Sequence, residues 1–449
     1  MNIRLITNFN DGEFIEIKLI KKYGLENINH YNFLNSLNIE YVIFEIQDKQ
    51  IYGYNFCKKL ANKIIEFIKE NDIKKYVLNC KEIDLINSDF EYLIENLYLE
   101  SYEFNKYKTT EKKHIELNIL INENNIQNIN LIKDMNEFIN ISKDLINTPS
   151  NELYPETLAE ETKNLGQKYG FQVDVLDIEE IKKLNMNALY SVSKGSEKNG
   201  KLIIIKYIGD KENKECLGLV GKGITYDSGG YSIKSTNSML NMKDDMGGAA
   251  ILIGAICAIA KNKIKKNVTI IIPTCENLIS GNSYKPGDII STMSKLTVEI
   301  ENTDCEGRLI LSDAIYYIVE KENVNKLLTI ATLTGGAYNT FGEFITPFFA
   351  NNDEIKKELI NAAEISNETI WEMPLSKDFE EYIIGNIADL KNSGGKVGGL
   401  ISSALFLEKF NTKNIPWIHL DIAGNVISSK TKLATGKCCK LIYNFIKGE

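Results

Sequence analysis

Two carboxylates and a guanidinium occupy alternate positions in the stretch E-N-T-D-C-E-G-R-L, where they are Asp304, Glu306 and Arg308. In an extended backbone, side chains two residues apart point to the same face, so the three groups are expected to converge at the end of a strand. Gly307 and an apolar run accompany them directly. A converging polar group of this kind predicts a site that binds a ligand.

A second polar group lies in L-V-G-K-G-I-T-Y-D-S-G-G-Y-S-I-K, residues 219–234. Lys222 and Asp227 come where an apolar run ends and the chain turns on glycines, which is the usual place for functional groups in an α/β sheet. Lys234 closes the stretch. Glycine-flanked turns after apolar strands favour convergence of these side chains with the first group.

Nucleotide binding is the alternative function for these glycines. A phosphate-binding loop needs Ser or Thr after its lysine and a glycine earlier in the motif, but Gly223 follows Lys222 and Cys216 occupies the earlier position. A dinucleotide motif fails as well, because Tyr226 stands where its third glycine should be. Both near misses disfavour a nucleotide site.

The third stretch, N-M-K-D-D-M-G-G-A-A, residues 241–250, opens an apolar helix. Taken alone, Asp244 or Asp245 is typical of an N-terminal helix cap or a partner of the helix dipole. Taken together, the carboxylates either spread out as solvated surface groups or hold metal, because converging carboxylates repel one another without a cation. The set that could serve two metals, if some carboxylates bridge, is Lys222, Asp227, Asp245, Asp304 and Glu306.

Composition limits the class of protein and of metal site. The chain has 449 residues, 43% of them hydrophobic and 25% charged, which is enough for two globular domains and a large core. Its three histidines leave a metal to be held mainly by oxygen, and the spacing of its eight cysteines fits reduced thiols rather than a zinc ribbon or disulfide framework. The net charge of -9 disfavours nucleic acid as a partner. The sequence has no apolar run near the roughly 20 residues of a membrane helix, so we expect a cytoplasmic protein.

The elements that position these residues form a predicted α/β protein. Strand-like runs at 2–7, 40–47 and 75–79, with helical patterns at 55–71 and 88–102, predict a smaller N-terminal α/β domain over residues 1–123. A linking helix, from Asn124 to Ile146 and closed by N-T-P-S-N, falls within 124–150. Residues 151–449 alternate strands with amphipathic helices, which predicts a larger catalytic α/β domain with a mixed central sheet covered by helices; its predicted strands are 201–208, 217–224, 268–273, 326–333 and 417–422.

Five motifs, in this order, closely resemble those of the cytosolic leucyl aminopeptidase family, metallopeptidase family M17. They read V-G-K-G-I-T-Y-D-S-G-G, D-M-G-G-A-A, N-T-D-C-E-G-R-L, A-T-L-T-G and H-L-D-I-A-G. The resemblance runs from about Asn147 onward, and several long motifs in register make coincidence improbable. It implies a two-metal hydrolase that removes N-terminal residues from peptides, Leu-like residues preferred.

The resemblance also implies a role for each matching residue. The tightly held metal would have Lys222, Asp227, Asp245 and Glu306 as ligands, and the exchangeable metal Asp227, Asp304 and Glu306. The catalytic residues that are not ligands would be Lys234 and Arg308. Arg308 would hold a bicarbonate ion that serves as general base, helped by the amides around Gly307 and Leu333. The oxygen-rich site suits Mn²⁺ or Zn²⁺, and Co²⁺ or Mg²⁺ as well.

The pocket for the first side chain of the substrate is implied in the same way. The positions that match the family's pocket are Met242, Thr332, Gly335, Ala423 and Val426. Their mostly apolar character suits leucine-like or methionine-like residues, although each residue alone is more often plain core.

Three further expectations concern residues and assembly outside the metal set. Cys305 replaces the family's usual alanine and is interpreted as a small buried thiol, the alternative being a metal-sensitive or oxidisable one. His419 is interpreted as a hydrogen-bonded structural histidine. The family implies a hexamer, and the alternative function is a family member with mainly a DNA-binding or regulatory role.

Overall fold

The computed structural model describes residues 1–6, 15–22, 28–34, 39–47, 49, 52–71, 74–80, 87–109, 114–121, 126–395 and 397–448. The chain divides into two compact units, Met1–Glu137 and Phe138–Glu449. Thr7 and Asn124, at the ends of two predicted elements, lie outside the described residues. The boundaries 1–123, 124–150 and 151–449 stay a prediction.

The first unit is an α/β structure built on one sheet. Its elements are β1 Asn2–Ile6, β2 Ile15–Lys22, β3 Asn29–Leu34, β4 Ile39–Gln47, α1 Tyr54–Glu70, β5 Lys75–Asn79, α2 Asn87–Glu100 and β6 Glu116–Leu120. The strand order is β1-β6-β5-β2-β4-β3, with only the described β3–β4 pair antiparallel. Helix α1 packs against α2, and the Asp89 carboxylate accepts the backbone N–H groups of Tyr52 and Gly53, each at 2.8 Å, just before α1 begins.

Helix α3, Ile126–Asn147, includes the division between the units, and the other elements of the second unit follow it in the chain. Its helices are α4 Pro155–Tyr169, α5 Ile178–Lys183, α6 Asn187–Ser193, α7 Thr236–Met239, α8 Gly247–Lys261, α9 Glu306–Lys321, α10 Gly335–Phe341, α11 Asp353–Ser366, α12 Gly399–Glu408 and α13 Cys439–Lys447. Short 3-10 turns cover Met242–Asp244 and Lys377–Tyr382. Its strands are β7 Gln172–Leu176, β8 Lys201–Ile208, β9 Leu217–Gly221, β10 Gly223–Asp227, β11 Asn267–Asn277, β12 Ile289–Ser291, β13 Thr297–Glu299, β14 Lys326–Ala331, β15 Thr346–Ala350, β16 Ile370–Glu372, β17 Leu390–Lys391 and β18 Trp417–Asp421.

The central sheet of the second unit is mixed, as the sequence predicts. Its order is β16-β15-β18-β14-β9-β11-β8-β7, and β10 pairs with β11. Strands β18, β14, β9 and β11 run parallel, whereas β8 is antiparallel to β11 and β15 is antiparallel to β18. Every residue of β11 and β18 is buried, as expected for strands covered by helices on both faces. Helices α8 and α9 both pack against β9.

The predicted strand 217–224 is wrong in one respect, because the chain forms two strands that break at Lys222. The Lys222 backbone N–H donates to the carbonyl oxygen of Ile330 at 3.1 Å, and its own carbonyl accepts the N–H of Ala249 at 2.9 Å. Beyond this point β10 pairs with β11. The break places Lys222 at the strand end, next to the start of α8.

The extended backbone predicted for residues 301–309 is also wrong, since α9 begins at Glu306. The Asn302 side chain accepts the N–H of Asp304 at 2.9 Å, and its carbonyl accepts the N–H of Cys305 at 3.2 Å. Asparagine commonly makes such turns, which here lead directly into the helix. Glu306 and Arg308 therefore lie in a helical turn and do not share one face.

The described residues contain no helix that is long and apolar enough to span a membrane.

Candidate metal centre

The residues of the predicted metal set come together at the ends of strands in the central sheet. Lys222 lies at the break between β9 and β10, and Asp227 is the last residue of β10. Asp245 lies between the 3-10 turn and α8, while Asp304 and Glu306 lie at the start of α9. Ligand sites in α/β sheets commonly lie at such strand ends.

Two lysines link the four carboxylates. Lys222 Nζ lies 2.7 Å from Asp245 Oδ1 and 2.9 Å from Glu306 Oε1, and it donates to the backbone carbonyl of Thr332 at 2.9 Å. Lys234 Nζ lies 2.8 Å from Asp227 Oδ2 and 2.5 Å from Asp304 Oδ1. The contacts of the two lysines therefore include every predicted ligand, namely Lys222, Asp227, Asp245, Asp304 and Glu306.

Three of these carboxylates meet closely enough to share a metal ion. Asp227, Asp245 and Glu306 each offer an oxygen within 4.8 Å of the others, and all three side chains are buried. Asp245 Oδ2 is buried and has no hydrogen-bond partner among the residues that the structure describes. An orphaned carboxylate oxygen in a group of buried acids fits a divalent cation.

The electrostatics of the group point the same way. Burial raises the pKa of Asp227 to about 7, and the neighbouring Glu306 carboxylate adds to the rise. Burial also raises the pKa of Asp245 well above its ordinary value. For Lys222 and Lys234, burial lowers the pKa but the carboxylates outweigh it, so both pKa values lie above the ordinary range. Four acids against two lysines leave an excess of negative charge, which added cations would neutralise.

Gly307 lets the lysine reach the carboxylates. A Cβ atom at this position would lie 2.6 Å from both Cε and Nζ of Lys222. A side chain there would displace Lys222 from Glu306, so the glycine in E-G-R-L is required by a close approach rather than by a turn.

Arg308 is placed differently from the other predicted residues. It is only 6% exposed, it lies outside the set of residues that line the central cavity, and its Nε has no hydrogen-bond partner in the described part of the chain. A buried guanidinium without a carboxylate partner is costly unless an anion satisfies it. The unpartnered Nε of Arg308 is therefore available to donate to a small anion.

A cavity of about 600 Å³ opens beside the carboxylates. It is lined by the predicted pocket residues Met242, Thr332, Gly335, Ala423 and Val426, together with Leu333 and the acids and lysines of the centre. Aromatic side chains continue the lining outward, since Tyr338 and Phe344 are 56% and 74% exposed.

Asp421, in the quoted motif H-L-D-I-A-G, is a residue to which the sequence analysis gave no role. Its carboxylate accepts the backbone N–H of Leu333 at 3.2 Å and the hydroxyl of Thr334 at 2.7 Å. It thereby fixes the loop after β14, which forms one wall of the cavity. The Leu333 amide, predicted to help hold the anion, donates to Asp421 here. The motif itself could have indicated this role, because an aspartate at the end of a strand commonly accepts hydrogen bonds from a neighbouring loop.

His419 and Cys305 are each predicted to have an ordinary structural role, and the structure describes the surroundings of both. His419 is buried between the rings of Phe349 and Trp417, and its Nδ1 lies 2.9 Å from the Thr329 hydroxyl, which confirms a hydrogen-bonded structural histidine. Cys305 is a free thiol at the start of α9 that is partly exposed rather than buried as predicted, and its partial burial raises its pKa.

Buried acids and lysines beside an open cavity, at the strand ends of a mixed α/β sheet, fit a metal-dependent hydrolase. A sequence model described as the cytosol aminopeptidase family, catalytic domain, matches residues 140–443. The chain belongs to this family.

Similar proteins agree with that assignment. A probable cytosol aminopeptidase of Clostridium perfringens is 45% identical over 385 residues, which cover 83% of this chain and 78% of that protein. A probable cytosol aminopeptidase of Clostridium tetani is 40% identical, with coverage of 93% and 90%. The bottromycin maturation enzyme BotP has the same fold, with a TM-score of 0.85, 22% identity and coverage of 96% and 99%.

Proposed function

We propose that this aminopeptidase is a two-metal leucyl aminopeptidase, which releases Leu-like residues one at a time from the N-termini of peptides. The observation that carries the proposal is the cluster of Asp227, Asp245 and Glu306, whose oxygens lie within 4.8 Å of one another beside an open cavity. We assign residues 151–449 as the catalytic domain, 1–123 as the N-terminal domain and 124–150 as the link. We further propose that the protein is a cytoplasmic homohexamer.

The ligand roles are those that the family resemblance implies. Lys222, Asp227, Asp245 and Glu306 would hold one divalent ion, and Asp227, Asp304 and Glu306 the second; Mn²⁺ and Zn²⁺ are the first candidates, and Co²⁺ and Mg²⁺ suit the oxygen ligands too. When bound, such a pair of ions lowers the pKa of a water and polarises the scissile carbonyl. The cavity beside the centre leaves room for the peptide.

Lys234 and Arg308 are assigned the catalytic roles. Lys234, held between Asp227 and Asp304, stays protonated and donates to the oxygen that gains charge when the peptide carbonyl is attacked. Arg308 would hold a bicarbonate ion, which would supply a general base when bound. The Nε atom of Arg308, which has no hydrogen-bond partner among the described residues, supports this role. Gly307 precedes Arg308 in the chain, and Leu333 lines the cavity.

The first side chain of the substrate would occupy the cavity between Met242, Thr332, Gly335, Ala423 and Val426, all of which line it. Gly335, Ala423 and Val426 leave room for a branched apolar side chain and offer it apolar contact. This lining supports a preference for leucine-like residues.

The test compares Leu-p-nitroanilide, a free Leu-peptide and its N-acetylated form in the presence of Mn²⁺. The free peptide is expected to be cleaved and the acetylated peptide to be inert, because the free α-amine is bound at the metal centre. Dialysis against a chelator should abolish turnover, and added Mn²⁺ should restore it. Comparable cleavage of the acetylated peptide would contradict the proposal.

A further inference from the structure

Asn277, the last residue of β11, lies directly behind the candidate metal centre. Its side chain is fully buried, at 0% exposure. Its Nδ2 donates to Asp227 Oδ1 at 2.7 Å and to the backbone carbonyl of Thr303 at 2.9 Å. One amide group therefore joins two segments of the chain, the end of β10 and the turn that carries Asp304.

The Asp227 carboxylate is held on both of its oxygens. Oδ1 accepts from Asn277 and also from the backbone N–H of Gly229 at 2.8 Å, while Oδ2 pairs with Lys234 at 2.8 Å. The rotation of the carboxylate is therefore set by two neutral donors behind it. Without the amide, only the Gly229 N–H would fix the rear oxygen.

The same amide and one further hydrogen-bond donor fix the turn before Asp304. The Thr303 carbonyl also accepts the hydroxyl of Tyr284 at 2.8 Å, and Tyr284 is 1% exposed. Removing the Asn277 amide would leave this carbonyl with one donor instead of two. The loss of a donor to a buried carbonyl lowers the free energy of unfolding.

The amide of Asn277 satisfies both of its contacts, whereas a hydroxyl or a carboxylate could not. The two atoms that it faces are acceptors, so the side chain must donate twice, and a carboxylate at this position would repel Asp227. Its own Oδ1 is buried and has no hydrogen-bond partner among the described residues. The structure thus tolerates an unsatisfied oxygen in order to direct the amide nitrogen at the metal centre.

We infer that Asn277 is a positioning residue of the metal centre, which fixes Asp227 and the turn at Asp304 in the geometry that binds divalent metal. The inference rests on the proposed function, in which both acids are ligands. Partners of metal ligands are typically worth about 10–100-fold in metal affinity.

The experiment measures the dissociation constant for Mn²⁺ by equilibrium dialysis and plasma mass spectrometry, together with the unfolding temperature of the metal-free protein. Asn277→Ala removes the amide, and Asn277→Leu removes both donors while keeping most of the buried volume. The matched control is Asn444→Ala, because Asn444 is also buried and donates to Ser366 Oγ at 2.9 Å in a different region. Tyr284→Phe removes the other donor to Thr303.

Both Asn277 variants are expected to weaken Mn²⁺ binding by about 10–100-fold, Tyr284→Phe to weaken it less, and Asn444→Ala to leave it unchanged. Wild-type affinity in either folded Asn277 variant overturns the inference. If neither variant folds, the affinity of Tyr284→Phe decides: a loss supports the inference and an unchanged value overturns it. A wild-type protein that binds no Mn²⁺ and leaves Leu-p-nitroanilide intact would instead refute the proposed function.

Discussion

Lys222 and Lys234 are equivalent in type but not in surroundings. Lys222 is 3% exposed and its Nζ contacts two carboxylates and the Thr332 carbonyl, so it lies within the acid cluster. Lys234 has a side chain 16% exposed and lines the cavity between Asp227 and Asp304. An ammonium has no lone pair, so Lys222 can serve as a ligand only if the charge of a bound metal removes its proton, whereas a protonated Lys234 can donate a hydrogen bond.

Single substitutions should separate these roles. Lys222→Ala is expected to weaken the tightly bound metal by more than about tenfold, because it removes a ligand. Lys234→Ala should retain near-normal metal and lower turnover by roughly 10²–10³-fold, because it removes a donor to the developing oxyanion. Metal content is measured by plasma mass spectrometry and turnover with Leu-p-nitroanilide.

The control for this pair is Lys357→Ala, an exposed lysine on α11 outside the cavity lining, which should behave as wild type in both measurements. Equal metal loss in Lys222→Ala and Lys234→Ala, or full metal retention in Lys222→Ala, would show that the roles are assigned wrongly.

At the scale of elements, strand β18 lies between β14 and β15 in the central sheet, next to one wall of the cavity. It ends at Asp421, which holds the loop of Leu333 and Thr334, and it carries His419 in the sheet interior. Burial lowers the pKa of His419 to about 3, although the Thr329 contact opposes the shift. The folded strand therefore requires a neutral imidazole.

This requirement predicts a loss of stability in acid. Because the pKa of His419 is about 3 in the folded state and near 6.5 in the unfolded chain, the unfolded chain binds more protons between these values. Stability should fall as the pH drops below about 6.5, by roughly 1.4 kcal/mol at pH 5.5 from this histidine alone. Urea unfolding at pH 7.5 and pH 5.5 measures the change.

The comparison variants are His419→Gln, which lacks the titrating ring, and His114→Gln, which replaces an exposed histidine. The first should lose less stability than the wild type on acidification, and the second as much. The same loss in His419→Gln as in the wild type would mean that another group causes the acid sensitivity.

The elements also show how far the sequence could be interpreted. Strand β8 has the predicted bounds, since a continuous apolar run is enough to define a buried strand. The break at Lys222 depends on hydrogen bonds to Ile330 and Ala249, which are distant in sequence, so local periodicity could not predict it. The helix start at Glu306 was predictable in principle from Asn302, whose side chain begins the turn. Asn277 was missed because its role comes from two partners that only the fold brings near.

At the scale of the whole molecule, the two compact units differ in whether they contain predicted site residues. Every predicted site residue, from Lys222 to Val426, falls in the unit Phe138–Glu449. Large apolar side chains of that unit, Trp371, Ile387 and Val397, are 61%, 76% and 68% exposed. Exposed apolar side chains on a folded chain are compatible with burial in an assembly.

The proposed hexamer gives a direct prediction. Light scattering coupled to size exclusion should give the mass of a hexamer that is stable on dilution and active as the assembly, because the family resemblance implies this state. The same sample, treated with a chelator and remeasured, shows whether the assembly depends on metal. A stable, fully active monomer would contradict the hexamer without affecting the metal centre.

The position of β18 has a consequence for biosynthesis. It follows all other described strands in the chain, yet it lies inside the sheet between β14 and β15. A ribosome that adds about 5–20 residues per second therefore exposes Lys222, Asp227 and Glu306 for several seconds before the strand that completes the sheet exists. The nascent chain then holds every proposed metal ligand but lacks the support of Asp421 for the cavity wall, so peptidase activity should begin only after β18 has emerged.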